Sequence, residues 1–258
     1  MPMTVQSSAV AFPANLSESS RLLWVDELGS VRLCQVGGDL GSVLLERSVP
    51  VRRFYAWPGK RSFDGRWWSS TARSHLGFES LLERQALLAF DFDRDVVGLA
   101  VQPFALLWPR RNSSAGPRHH VPDLFARRAD GRGVVVDVRP AGRIDERSRV
   151  QFARTQQVAA LVGWDFQLFT GLPSPRAANL MFLAGYRYDR CVPAGTVRAG
   201  LLAAFQTPRP LSRGVEAAAA ATGVTTAIAV AGAYHLLWRQ DLQVNLDLLL
   251  RADSEVGG

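Results

Sequence analysis

The run Gly133-Val-Val-Val-Asp-Val-Arg-Pro140 constrains the fold more than any other segment of the chain. Valine is branched at Cβ and favours extended backbone, so the run reads as a strand. Residues two apart on a strand share a face at about 6.6–7 Å, so Asp137 and Arg139 point one way while Val136 and Val138 point the other. The valines take the core, leaving a carboxylate and a guanidinium on one cavity. Upstream, HVPDLFARR (120–128) is separated from this strand by the turn signal Ala-Asp-Gly-Arg-Gly. The two segments therefore pair as a hairpin, which brings Asp123, just after Pro122, near Asp137.

Periodic segments surround the hairpin. GFESLLERQALLAF (77–90) has strong helix formers and apolar residues at helical spacing. DVVGLAVQPFALLW (95–108) is rich in β formers. Residues 144–162 form a helix that starts on acidic residues and stops at Gly163, and DFQLF (165–169) is a further strand. RLLWVDELGSVRLCQV (21–36) alternates around a turn and VLLERSVPVRRF continues in β-like fashion, giving a small N-terminal β layer. Residues 56–73 read as a loop in which Trp67 and Trp68 either stack on bases or, more in keeping with tryptophan's usual burial, pack onto the domain. The fold class expected from this order is α/β, a mixed sheet flanked by helices with a small, mainly helical domain after it. The boundaries expected are a lead over 1–20, the main domain over 21–190 and the C-terminal domain over 191–258.

A chain of 258 residues has room for both domains. No apolar stretch reaches the ~18 residues of a membrane span, and the N-terminus lacks a basic start followed by an apolar core. Cys34 and Cys191 stand far apart without metal-ligand spacing, which fits a reducing cytoplasm. The net charge of +7 favours a polyanionic partner through phosphate contacts. Lys60 is the only lysine, so arginine carries nearly all of that charge.

Carboxylates with ordinary pKa values near about 4 are ionised at neutral pH, and a close pair repels unless a cation lies between them. Mg²⁺ or Mn²⁺ answers that need: such ions take hard oxygen ligands, polarise a phosphodiester and activate a water. Arg139 would then meet charge developing on phosphate, and Glu83 would supply a further ligand or contact a metal-bound water. Taken singly, Asp123 reads as a turn residue, Asp137 and Arg139 as a paired strand face, and Glu83 as a solvated helix position. Their joint placement by one order of elements is what points to a site. Glu79 lies one turn before Glu83 on the same face, so spacing alone leaves both open. His119 and His120 read as surface loop histidines, with metal or phosphate contact as the alternative.

The series FESLLE, QPF, HVPDLFARRADG, VVVDVRP and a later GW resembles the TnsA endonuclease subunits of heteromeric transposases, within the PD-(D/E)XK nuclease superfamily. The resemblance covers about residues 63–190 and implies a restriction-endonuclease-like mixed sheet flanked by helices, with a small winged-helix-like domain after it. It implies that Ser80-Leu-Leu-Glu83 matches the family's Ser-x-x-Glu, which prefers Glu83 over Glu79. Pro122-Asp123 matches the PD element, and Asp137-Val138-Arg139 matches (D/E)-x-K. Arg139 departs from the family's lysine; arginine is larger, planar and no general base. The function implied is Mg²⁺- or Mn²⁺-dependent cleavage of double-stranded DNA at transposon 5′ ends, beside a DDE-type transposase subunit and an AAA+ regulatory ATPase. The alternatives are a catalytically weakened architectural subunit and a free-standing restriction or repair nuclease. In the C-terminal part, helices are expected at about 197–205, 212–222 and 225–239, followed by a wing strand within VNLDLLLRADSEV. The third helix is apolar for a groove reader and favours protein docking.

Overall fold

The computed structural model describes residues 20–52, 63–108 and 118–258, which form two compact units, one ending at Gly171 and the other starting at Leu172. The division falls earlier than the boundary at 190/191 expected from sequence, because residues 174–183 pack with the later unit. The chain is mixed α/β. The expected lead over 1–20 lies, apart from Ser20, outside the described residues, as do Lys60 and the first part of the loop read over 56–73.

In the first unit, strands β1 (Arg21–Val25) and β2 (Val31–Gln35) form the expected hairpin. They join β6 (Phe104–Trp108) and β7 (Arg118–His120) in a sheet of order β2-β1-β6-β7. A second sheet has the order β10-β9-β8-β5, from β5 (Val96–Val101), β8 (Leu124–Arg128), β9 (Gly133–Val138) and β10 (Asp165–Phe169). β8 and β9 pair as the expected hairpin, Leu124 opposite Val136 and Phe125 opposite Val135. β10 runs parallel to β9, and helix α2 (Glu146–Val162) makes the crossover. Asp145 caps α2, its Oδ1 accepting from Ser148 N at 2.8 Å, and Gly163 ends the helix in the left-handed region at φ 79°. Helix α1 (Leu81–Phe92) approaches β5 and β9.

Four expectations fail locally. The β-rich run 95–108 is two strands in two different sheets, broken at Gln102, which has φ 45°, and Pro103. The segment 120–128 is likewise divided, with His120 ending β7 in one sheet and Leu124 starting β8 in the other. The crossing points are tied together, since Gln102 N donates to Asp123 O at 2.9 Å. Part of the region read as a loop is strand β3 (Gly65–Ser69), paired with β4 (Ser74–Phe78). Trp67 there is buried, in keeping with the packing role. The stretch after Val43 turns as a short 3-10 helix at Leu45–Arg47 instead of continuing as a strand. Fully buried Leu45 anchors it and its Glu46 pairs with Arg127.

The main core includes Leu22, Leu45, Phe104, Phe125, Val135, Val158 and Trp164. Phe104, Phe125 and Trp164 pack ring to ring, and a Cβ at Gly133 would come within 2.6 Å of Phe125, so glycine is needed where β9 begins. β9 is covered on both faces: Val134, Val135, Val136 and Asp137 are all at most 2% exposed. The acidic residue thus sits inside the protein rather than on the open strand face that alternation alone suggests.

The second unit contains helices α3 (Ser174–Leu183), α4 (Gly195–Ala204), α5 (Leu211–Thr222) and α6 (Thr226–Trp238). Its small sheet has the order β11-β13-β12, from β11 (Arg209–Pro210), β12 (Gln243–Val244) and β13 (Glu255–Gly257). The last three helices match the expected ones, whereas the expected wing strand over 244–256 is a loop for most of its length, with its two ends in β12 and β13. Buried Asn179 clamps that loop, donating to Leu246 O and Leu248 O and accepting from Leu250 N. Among the described residues no single helix is long and apolar enough to cross a membrane.

Candidate active site

A cleft of about 370 Å³ opens beside the point where the two sheets of the first unit diverge. Glu83, Asp123, Asp137 and Arg139 all line it, together with Arg52, His119, His120 and Gln151. Each is positioned by a different device. Asp137 is near the end of a central strand. Asp123 lies in the short switch between β7 and β8, and its Oδ2 accepts from Val138 N at 2.7 Å, the ladder position beyond the last β8–β9 pair. Arg139 follows β9, with its backbone N bonded to Phe169 O at 3.0 Å.

Glu83 belongs to a capping box. Ser80 Oγ accepts from Glu83 N at 3.1 Å and donates to Glu83 Oε1 at 3.0 Å, while Glu83 Oε2 accepts from Glu79 N at 2.8 Å. The Ser-x-x-Glu pattern is therefore a helix start as well as a place for a carboxylate. Of the two glutamates left open by spacing, Glu83 lines the cleft, whereas Glu79 is ion-paired with Arg52.

His120 is the residue that sequence reasoning missed. It is 8% exposed, and its Nε2 meets both oxygens of Asp137, at 2.9 and 3.0 Å. Its Nδ1 meets Gln151 Nε2 from α2 at 2.7 Å. It is not the surface loop histidine expected, because pairing of β7 with β6 carries it inward beside the ring of Trp108. His119 is exposed.

The electrostatics follow from this packing. Asp123 keeps part of its surface open to the cleft yet is densely surrounded by protein. Burial first and the Asp137 carboxylate second push its pKa up to about 8, with Glu83 adding and Val138 N opposing. Burial also raises Glu83, against the hydrogen bonds from Glu79 N and Ser80. In contrast, the Nε of Arg139 is buried without a hydrogen-bond partner among the described residues. The chain matches no family model and no curated protein.

Among the described residues no three His, Cys, Asp or Glu side chains already converge as a preformed metal-ligand group. The donor set nonetheless suits a hard divalent cation. Two carboxylates, one on β9 and one just before β8, share one cleft, and burial together with the Asp137 charge drives Asp123 toward its protonated form, a conflict that a cation relieves. A larger groove of about 660 Å³ runs along β4 and β5, but Glu46, its one acidic lining residue, is committed to Arg127 at 3.1 Å. It gathers no comparable cluster.

Proposed function

We propose that this chain is a metal-dependent DNA endonuclease of the restriction-enzyme-like fold, acting as the TnsA-like subunit of a heteromeric transposase and hydrolysing phosphodiesters at transposon 5′ ends. The observation that carries the reading is the meeting of Asp123 and Asp137 in one cleft, with Glu83 from the facing helix and the guanidinium of Arg139 on its wall. Asp123 and Asp137 would hold Mg²⁺ or Mn²⁺, with Glu83 reaching the ion directly or through water. When bound, the ion would polarise the phosphate and lower the pKa of a water.

The remaining work falls to the chain's own groups. Arg139, whose buried Nε has no hydrogen-bond partner among the described residues, supplies hydrogen-bond donors and positive charge to a phosphate oxygen. It cannot accept a proton, so no step assigns it that role. Arg52 sits at the cleft with its charge shared by Glu79, and the net charge of +7 favours the approach of DNA.

The second reading is an architectural subunit of weakened activity. It is favoured by arginine at position 139 and by the internal hydrogen bonds that occupy Glu83. In the second unit, the order helix, strand, helix, helix, strand, strand that follows α3 supports a winged-helix-like domain. Thr226, Ala227 and Ile228 are exposed on α6, which carries no Lys or Arg, so docking of a protein such as the AAA+ ATPase suits it better than reading a DNA groove.

The test is nicking of transposon-end DNA with the DDE-type partner and Mg²⁺, comparing wild type, Asp123→Ala and Arg139→Lys. Nicking by wild type that Asp123→Ala abolishes is expected. A silent wild type with nicking restored by Arg139→Lys would establish the architectural reading instead.

A further inference from the structure

The cleft contains a hydrogen-bonded chain that runs from Gln151 on α2 through His120 on β7 to Asp137 on β9, and the proposed chemistry uses neither Gln151 nor His120. An amide nitrogen can only donate, so Gln151 Nε2, 2.7 Å from His120 Nδ1, makes Nδ1 the acceptor. The ring proton then lies on Nε2, directed at both Asp137 oxygens at 2.9 and 3.0 Å. His120 and Asp137 are buried, at 8% and 2% exposure, and the imidazole stacks within 6.5 Å of the parallel Trp108 ring, so ring and carboxylate have little freedom to turn.

We infer that His120, with its tautomer set by Gln151, is a positioning residue that fixes the Asp137 carboxylate for a divalent cation. The inference rests on the reading of the cleft as a metal site. One donor straddling both oxygens leaves each oxygen a further lone pair, so the contact orients the carboxylate without exhausting it. Hydrogen bonds to a ligating carboxylate commonly account for about 10- to 100-fold in metal affinity. The contact also ties the crossover helix α2 to the end of β9, linking the ligand's aim to the packing of another element.

The test is calorimetric titration of the full chain with Mn²⁺ alone, without DNA, on wild type, His120→Leu, His120→Gln and Gln151→Leu. Unfolding in EDTA checks that each variant is folded. His120→Leu is expected to bind Mn²⁺ about 10-fold or more weakly. Gln151→Leu should bind a few-fold more weakly, because the tautomer is no longer imposed. His120→Gln, whose amide can also donate to Asp137, should recover most of the affinity. A folded His120→Leu that binds as well as wild type overturns the inference, and one that binds more tightly shows a competitor for Asp137 instead. If His120→Leu does not fold, Gln151→Leu decides, and wild-type affinity there overturns the inference. Wild type that takes up no Mn²⁺ overturns the metal-site reading itself, and the inference with it.

Discussion

Asp91 and the pair Asp123–Asp137 are carboxylates packed within the same unit, and they are kept there in opposite ways. Asp91, near the end of α1, accepts from Trp67 Nε1 at 3.1 Å, Ser69 Oγ at 2.8 Å, Ser70 N at 3.1 Å, Ser70 Oγ at 3.2 Å and Thr71 N at 2.9 Å. Its charge is dissolved in protein donors, and it pins the β3–β4 hairpin to the helix. The Asp123 carboxylate accepts a single hydrogen bond from the described residues, from Val138 N, and faces a second carboxylate. The first arrangement is complete without any ligand. The second costs stability until a cation enters, which is the pattern expected where function outweighs folding.

The sharpest way to separate the two is to remove each in turn. Asp123→Ala or Asp137→Ala should lower single-turnover nicking about 10³-fold or more, as loss of a metal ligand does, while the folded chain survives. Asp91→Ala should do the reverse. With its donors left unpaired in the interior, unfolding in denaturant should show a loss of about 3 kcal/mol. Nicking per folded molecule should stay within about threefold. If Asp91→Ala abolished nicking in a fully folded chain, the division between structural and functional carboxylates would break.

A subtler difference lies in pH. The folded chain holds the Asp123 proton up to about pH 8, whereas the unfolded chain releases it near the ordinary aspartate value of 3.8. Between those values the folded state binds more protons than the unfolded state, so this group makes stability fall as pH rises through the window. Below the window both states are protonated, and above it both are ionised, so its contribution levels off at either end. In EDTA, Asp123→Asn should lessen that decline, by about 1–3 kcal/mol between pH 5 and 8.5 in denaturant unfolding. An identical slope in the two proteins would mean that Asp123 is not held protonated by its surroundings. The smallest effect expected is that of Ser80→Ala, about 1 kcal/mol of stability from loss of the helix cap, measured by the same unfolding.

What the sequence revealed and concealed divides along local and non-local lines. The β8–β9 hairpin, α2 with its Asp145 and Gly163 ends, and β10 were legible because periodicity and capping are local. Asp123 and Asp137 were legible with them, since hairpin pairing alone brings the start of one segment near the end of the other. The change of sheet at Gln102–Pro103 was not: a buried glutamine with φ 45° is maintained by tertiary contacts, and the apolar run continues across it. His120 was hidden for the same reason, because its place beside Asp137 depends on β7 joining β6. Two signals were present but unread. The Ser-x-x-Glu spacing is a capping box, and an aspartate between Phe90 and Phe92 at the end of an apolar helix calls for donors that Trp67, Ser69, Ser70 and Thr71 supply.

The central claim is that the Asp123–Asp137 pair is held in the cleft for a divalent cation, and Mn²⁺ titration of the full chain at neutral pH tests it most directly. Wild type and Ser80→Ala should each bind one Mn²⁺ per chain, and the Asp123→Asn, Asp137→Asn double variant should bind none at that site. A double variant that binds Mn²⁺ as wild type does, or a wild type that binds none, would contradict the account.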